Sequence, residues 1–231
     1  VLATKSALHS GSGLTYVLAP KCGYEILQTS VPEAMVSVDD HEHFLTSVPD
    51  LKNYSAIGIG PGIGQDKKTV TAVAKILESL DKPVVLDADA LNILGANREL
   101  IHLMPKGSVL TPHPKEFERL TSPWKTDFER LQKQSEFAAK TGTVVLVKGA
   151  YSALASPDGK IFFNSTGNPG MATGGSGDVL TGIITGLLAQ GYSGLDSAII
   201  GCRVHGLAGD KATARLGEMG LIASDITDYL P

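Results

Sequence analysis

Cysteine is nearly absent from these 231 residues: Cys22 and Cys202 lie far apart and outside any metal-ligand spacing. That argues against a disulfide scaffold and for a reducing, cytoplasmic compartment. No apolar run reaches the roughly 18 uninterrupted residues that a membrane-spanning helix needs, so no membrane role is expected. Basic charge is also in deficit, with a net charge of −4. A nucleic-acid partner is therefore not expected, and any anionic ligand has to be held by local chemistry. The glycine loop GPGIG departs from both the Rossmann and the Walker A spacings, and no Lys-Ser/Thr pair follows it in P-loop fashion, which disfavours a nicotinamide-reducing Rossmann enzyme and a P-loop NTPase.

What is present is a hydrophobic content of 42%, enough for one sizeable domain. Short apolar runs at Leu14–Leu18, Ala56–Ile59, Val84–Leu86, Ser108–Leu110 and Val144–Val147 read as strands. Helical patterns separate most of them. Asp66–Leu80 places Val70, Val73, Ala74 and Leu77 on one face and is expected to stop at Pro83. Thr126 with Glu129 suggests a capping box on a helix that buries Phe128, Leu131 and Ala138. The alternation predicts an α/β fold with a mostly parallel central sheet and helices on both faces. Pro157-Asp158-Gly159 between Ser152–Ala155 and Ile161–Phe163 predicts a hairpin, and a mainly helical segment follows Asp178. The acidic run Asp39–Glu42 reads as a solvated loop.

The unusual residues all follow strand ends. These are Gly60-Pro61-Gly62-Ile63-Gly64, Asp87 through Asn92 with Asp89 between, Thr111-Pro112-His113-Pro114, and Lys148-Gly149. Ligands bind outside the carboxyl ends of strands in open α/β sheets, so four such loops point to one site. Gly167–Leu180, reading GNPGMATGGSGDVL, adds a glycine-dense loop entering a helix that Gly191 should stop. Gly174, Gly175, Ser176 and Gly177 then form an anion hole of backbone N–H donors at the helix N-terminus. Asp178 is either a dipole partner or a catalytic acid–base group.

Each remaining candidate has two readings at this level. Lys148, at the end of a valine-rich strand, needs a phosphate or a carboxylate to offset burial. Asp87 and Asp89 either hold a hydrated Mg2+ or cap their loop. Asn168 and Thr173 orient ligand or fix the turn. His113, locked between prolines, suits ligand contact or a rigid loop. His41 and His43 read as surface residues, and His205 as helix packing. Gly182 and Gly186 read as sites of close helix packing.

Taken in order, GPGIG, LDADALN, LTPHPKEFERL, VVLVKGAYS, GNPGMATGGSGDVLTG, HGLAGD and GLIASDITDYLP closely resemble the ADP-dependent NAD(P)H-hydrate dehydratases of the ribokinase-like superfamily. The resemblance covers nearly the whole chain as a single domain, 1–231. The family's usual first strand and glycine-rich turn have no counterpart here, and Val1 opens on a helix-like Leu2–Ser10, so an N-terminal piece is expected to be missing.

The resemblance implies a lyase that phosphorylates the ring hydroxyl of hydrated NADH or NADPH (the S epimer) so that it leaves as phosphate, with ADP or ATP as donor, Mg2+ assisting, and AMP released from ADP. It implies that Asp178 is the general base. Gly62, Gly64, His113 and Asp178 are implied to contact the hydrated dinucleotide. Lys148, Gly149, Ala150, Tyr151, Ser152 and Gly177 are implied to contact the adenine nucleotide, with Asp87, Asp89, Asn92 and Asn168 in support. Ser152 stands where the family often has threonine, and keeps the hydroxyl. A homotetramer, and an epimerase as fused or separate partner, are further implications. A vitamin-precursor kinase of the same superfamily and a catalytically silent nucleotide-binding protein remain as alternatives. TPHP and LDADALN favour the dehydratase.

Overall fold

Burial on both faces explains why the strands read as continuous runs of valine and leucine. In the computed structural model, which describes residues 1–231, they form a six-stranded sheet ordered β3 (Ile57–Ile59), β4 (Val84–Leu86), β5 (Val109–Leu110), β6 (Val144–Val147), β7 (Ala153–Ala155) and β8 (Ile161–Phe163). The first four are parallel, and the hairpin β7–β8 adds on antiparallel.

Successive residues serve opposite faces. Val84, Leu86 and Leu110 pack on α3 (Lys67–Ser79) and α4 (Ala88–Ala96), while Val85, Val109, Val144 and Leu146 pack on α7 (Ser176–Ala189) and α8 (Gly194–Leu216). Val145 and Val147 return to the first side, against Phe117 of α5 (Pro114–Leu120) and Ala138 of α6 (Asp127–Thr141). Strands added in sequence order by same-handed crossovers put their connecting helices on one face. The opposite face is therefore left to the C-terminal helices, with α9 (Ala223–Asp228) outside them.

Gly182 and Gly186 pack as expected, and their partner is α1 (Leu2–His9). A Cβ on Gly182 would lie 2.1 Å from the carbonyl oxygen of Ala3.

The expected span Asp66–Leu80 is met by α3, which is capped by Asp66 and by Leu80 and ends ahead of Pro83. Other elements differ from expectation. In α6 the Thr126 hydroxyl accepts from the Glu129 amide, but Glu129 accepts from Lys125, so the box is not reciprocal. Phe128 is 83% exposed, because at about 100° per residue it lies roughly 80–120° around the helix from the buried face that carries Gln134 and Ala138. The strand expected at Leu14–Leu18 lies at β1 (Tyr16–Ala19) and pairs in parallel with β2 (Met35–Val38) in a separate two-stranded sheet; β2 and α2 (Tyr24–Ser30) carry no signal in the sequence. The Asp39–Glu42 run is not uniformly solvated. Asp39 is 1% exposed and accepts from the amides of His41, Thr46 and Ser47 and from the hydroxyls of Thr46 and Ser47. Those donors hold its pKa far below the usual aspartate value, against the opposing pull of burial.

Gln134 escaped the sequence reading. Fully buried on α6, its amide nitrogen donates to the carbonyls of Val145 and Ala153, tying the parallel strands to the hairpin. Gln134→Leu should cost about 1–3 kcal/mol, the usual penalty for stranded buried acceptors. Urea denaturation checks this, with turnover at 25 °C expected to stay at the parental level.

Candidate active site

Backbone geometry brings the four strand-end loops together. Gly60 has φ +136°, and a Cβ there would sit 1.8 Å from the Asp87 carbonyl oxygen, so only glycine lets the first loop lie against the second. Between Asp87 and Asp89, Ala88 adopts φ +47°, the one non-glycine residue with positive φ in the chain. Strain of this kind persists where surrounding contacts over-determine it. Here those contacts are the Asp87 amide donating to Ile59 and the Asp89 carboxylate accepting from the Gly64 amide (2.9 Å) and the Gln65 side chain (3.2 Å). Gly62 and Gly64 also have positive φ, and Cβ atoms on them would meet nothing within 4 Å. The loop thus presents bare backbone to open space.

Lys148 finds a carboxylate. Its Nζ lies 2.7 Å from Asp87 Oδ1, while Asp87 Oδ2 accepts from Thr181 of α7 at 2.7 Å. Asp87 is 1% exposed and makes no side-chain cap, so the capping reading fails for it. Asp89 instead fastens the GPGIG loop. Neither acid belongs to a cluster of three or more His, Cys, Asp or Glu side chains suited to a cation. On the far side of this pair stands Gly177, where a Cβ would approach Lys148 Nζ to 3.1 Å. The α7 N-terminus is therefore docked against Lys148 and Asp87.

At that terminus Gly175, with φ +89°, is the N-cap and provides no side chain. The amides of Gly174, Gly175, Gly177 and Asp178 donate to no protein acceptor, whereas Ser176 donates to Thr173. Unpaired donors at the positive end of a 14-residue helix make an anion site. Asp178 is half-buried beside it, and its pKa is raised, first by burial and then by the Asp87 carboxylate, with Lys148 partly opposing.

The Gly149–Ser152 loop borders the same edge. The Ser152 hydroxyl bonds the Gly149 amide and carbonyl, closing the turn, and leaves Tyr151 72% exposed with its ring free to cover a planar base. His113 is partly spent on structure. Its Nδ1 accepts from the amides of Lys115 and Glu116 as the α5 N-cap, while Glu116 accepts from the His113 amide. The ring stays about half-exposed. Asn168 fixes the turn, accepting from Gly170 and Thr213 and donating to Asp210, which also holds the Gly167 amide. Asn92 accepts from Arg119.

The profile that describes NAD(P)H-hydrate dehydratases matches residues 1–231, the whole chain. The chain belongs to that family. The bifunctional NAD(P)H-hydrate repair enzyme Nnr of Moorella thermoacetica is 38% identical over 240 residues, covering 100% of this chain and 45% of that protein. The ADP-dependent (S)-NAD(P)H-hydrate dehydratase of Neisseria meningitidis is 38% identical over 98% of this chain and 77% of its own length. The chain thus spans about half the length of its bifunctional relatives. A Bacillus subtilis ADP/ATP-dependent NAD(P)H-hydrate dehydratase, co-crystallised with ATP/Mg2+, superposes with a TM-score of 0.81 at 30% identity over 100% of this chain and 81% of its own. The ribokinase-like fold is thereby established.

Within this family frame, His205 of α8 does more than pack. Its Nε2 lies 3.0 Å from the Ser176 carbonyl oxygen and 3.3 Å from the Ser176 hydroxyl. A carbonyl only accepts, so Nε2 carries the proton. Burial, with Lys148 adding to it, lowers the pKa to about 4, which keeps the ring neutral. His205 thereby holds the first residue of α7. His205→Leu should cost about 1–3 kcal/mol by stranding the buried Ser176 carbonyl, and His205→Gln should restore most of it. Urea denaturation decides this.

Proposed function

We propose that this chain dehydrates the S epimer of hydrated NADH or NADPH, consuming ADP or ATP and, with ADP, releasing AMP and phosphate. The observation that carries the reading is the pairing of unbonded amides at Gly174, Gly175 and Gly177 with a half-buried Asp178 of raised pKa. Those amides and Lys148 fit a transferring phosphoryl group, a task of positioning and charge stabilisation. The relatives' names, and the B. subtilis enzyme co-crystallised with ATP/Mg2+, support the donor and the substrate.

Asp178 takes the proton from the ring hydroxyl of the hydrated nicotinamide as that oxygen is phosphorylated. The bare backbone of Gly62 and Gly64 and the exposed edge of His113 form the wall against which the hydrated ring is held. Tyr151 covers the adenine, and the hydroxyl-closed turn at Ser152 keeps the Lys148–Ser152 loop in shape. Ring-nitrogen electrons then expel phosphate, and loss of a proton from the adjacent ring carbon of the resulting iminium forms the C=C bond that restores the reduced nicotinamide. Atoms balance, because the elements of water carried by the hydrate end in phosphate and AMP. Asp87 and Asp89 are engaged by protein donors, so Mg2+ would have to enter with the nucleotide, and it would supply charge neutralisation beside Lys148. Assembly as a homotetramer, residence in the cytoplasm and work alongside an epimerase belong to the same reading.

Incubation with hydrated NADH and ADP tests the proposal through recovery of reduced-nicotinamide absorbance. Absent recovery together with stable phosphorylation of a small alcohol would assign the site to a kinase instead.

A further inference from the structure

Beside the reacting edge a polar cleft of about 630 Å3 is lined by Gln65, Asn92, Gly95, Ala96 and Arg119. It continues the GPGIG loop. Gln65 is held to Asp89, which also binds the Gly64 amide, so one wall of the cleft is fixed to the loop that faces the reaction site. Asn92 lies one turn beyond Asp89 on the same helix.

Arg119 is the cleft's only cation. No carboxylate pairs with it, since the ion pairs of this chain are His113–Glu116, Arg130–Asp127, Lys148–Asp87 and Lys160–Asp158. Its Nη1 donates to Asn92 Oδ1 at 2.7 Å, which orients the planar fork while using one of five N–H donors. The absence of a side chain at Gly95 lets α4 and α5 approach, as a Cβ there would meet Arg119 Cβ at 3.2 Å. Arg98 donates to the carbonyls of Arg119 and Thr121 and fastens that end of α5. An oriented guanidinium without a carboxylate partner, on a chain of net charge −4, matches phosphate recognition.

We propose that this cleft receives the part of the hydrated dinucleotide remote from the nicotinamide, with Arg119 binding one of its phosphates. The inference rests on the dehydratase reading. Asn92 is the positioning residue, and Gln65 closes the side toward the reacting ring. The bound phosphate belongs either to the pyrophosphate bridge, shared by both hydrated cofactors, or to the 2′-phosphate that only hydrated NADPH carries.

The test is Arg119→Met, which keeps the stem and removes the fork. Arg119 is exposed, so the thermal midpoint should not move. The KM for the hydrated dinucleotide should rise about ten- to hundredfold, as for loss of a charge-assisted contact, with kcat and the KM for ADP unchanged. An equal rise with hydrated NADH and hydrated NADPH assigns the contact to the pyrophosphate, and a rise confined to hydrated NADPH assigns it to the 2′-phosphate. Unchanged KM with both overturns the proposal, as does a loss in kcat accompanied by a lower thermal midpoint.

Equilibrium binding of NADPH, followed by its fluorescence, separates this inference from the reading beneath it. Parent protein that binds NADPH but dehydrates nothing, with binding weakened by Arg119→Met, refutes the dehydratase reading and leaves the cleft standing. Full turnover by the parent with identical NADPH binding in the variant does the reverse.

Discussion

Asp178→Asn should lower turnover by about 10²–10⁴-fold, the usual worth of a positioned general base, while ADP affinity stays close to that of the parent. The replacement keeps shape and removes the ability to take a proton. Burial and the neighbouring Asp87 carboxylate raise the Asp178 pKa above the 3.8 of a free aspartate, so removing its charge relieves unfavourable terms. The thermal midpoint of the variant should therefore be unchanged or higher. The sign of the pH effect follows. Only the deprotonated form acts as a base, so activity falls as pH drops through the raised pKa, and the acid limb of the kcat profile lies above the ordinary aspartate range. A pH–rate series with calorimetric ADP titration decides the matter. If Asp178→Asn weakens ADP binding as much as it slows turnover, Asp178 is a structural residue.

Lys148→Met should damage two properties that a second substitution pulls apart. Its removal leaves Asp87, 1% exposed, with only the Thr181 hydroxyl. A broken buried pair costs about 3–5 kcal/mol, and the lower end applies because the Lys148 side chain keeps 23% exposure. ADP affinity should also fall, by about tenfold or more, through loss of a cation beside the α7 amides. Adding Asp87→Asn removes the stranded charge, so the double variant should regain most of the stability and none of the affinity. Urea denaturation and ADP titration on the four proteins of the cycle measure both terms. Recovery of affinity along with stability would show that Lys148 serves Asp87 and not the nucleotide.

The strands that build the site edge were legible because burial on both faces forces apolar residues at every position. Val84–Leu86 and Val144–Val147 were read to the residue. Met35–Val38 was not, since a strand in a two-stranded sheet with partly exposed residues carries no such run. Phe128 shows a second limit: helical spacing tells which residues share a face, but which face meets the sheet is decided by packing, and here it is the face of Gln134 and Ala138. At the site, Gly60, Gly62, Gly64 and the Gly174–Asp178 turn were legible as backbone chemistry, because a positive φ or a bare amide is a local property. Gln134 and Asp39 left no signal, as a buried amide and a buried acid look like surface residues until their acceptors and donors are in place.

By itself the sequence determined the parallel sheet, the loops at its carboxyl edge, the anion-binding helix start and the family. Those depend on periodicity and on backbone preferences within a few residues. The tertiary structure alone decided that Lys148 pairs with Asp87 across 61 positions and Thr181 with Asp87 across 94, and that His205 holds Ser176. It also decided that Asp178 sits where burial and a second carboxylate raise its pKa. Charge and desolvation act through space, so their sign at any residue is set only when distant segments have met.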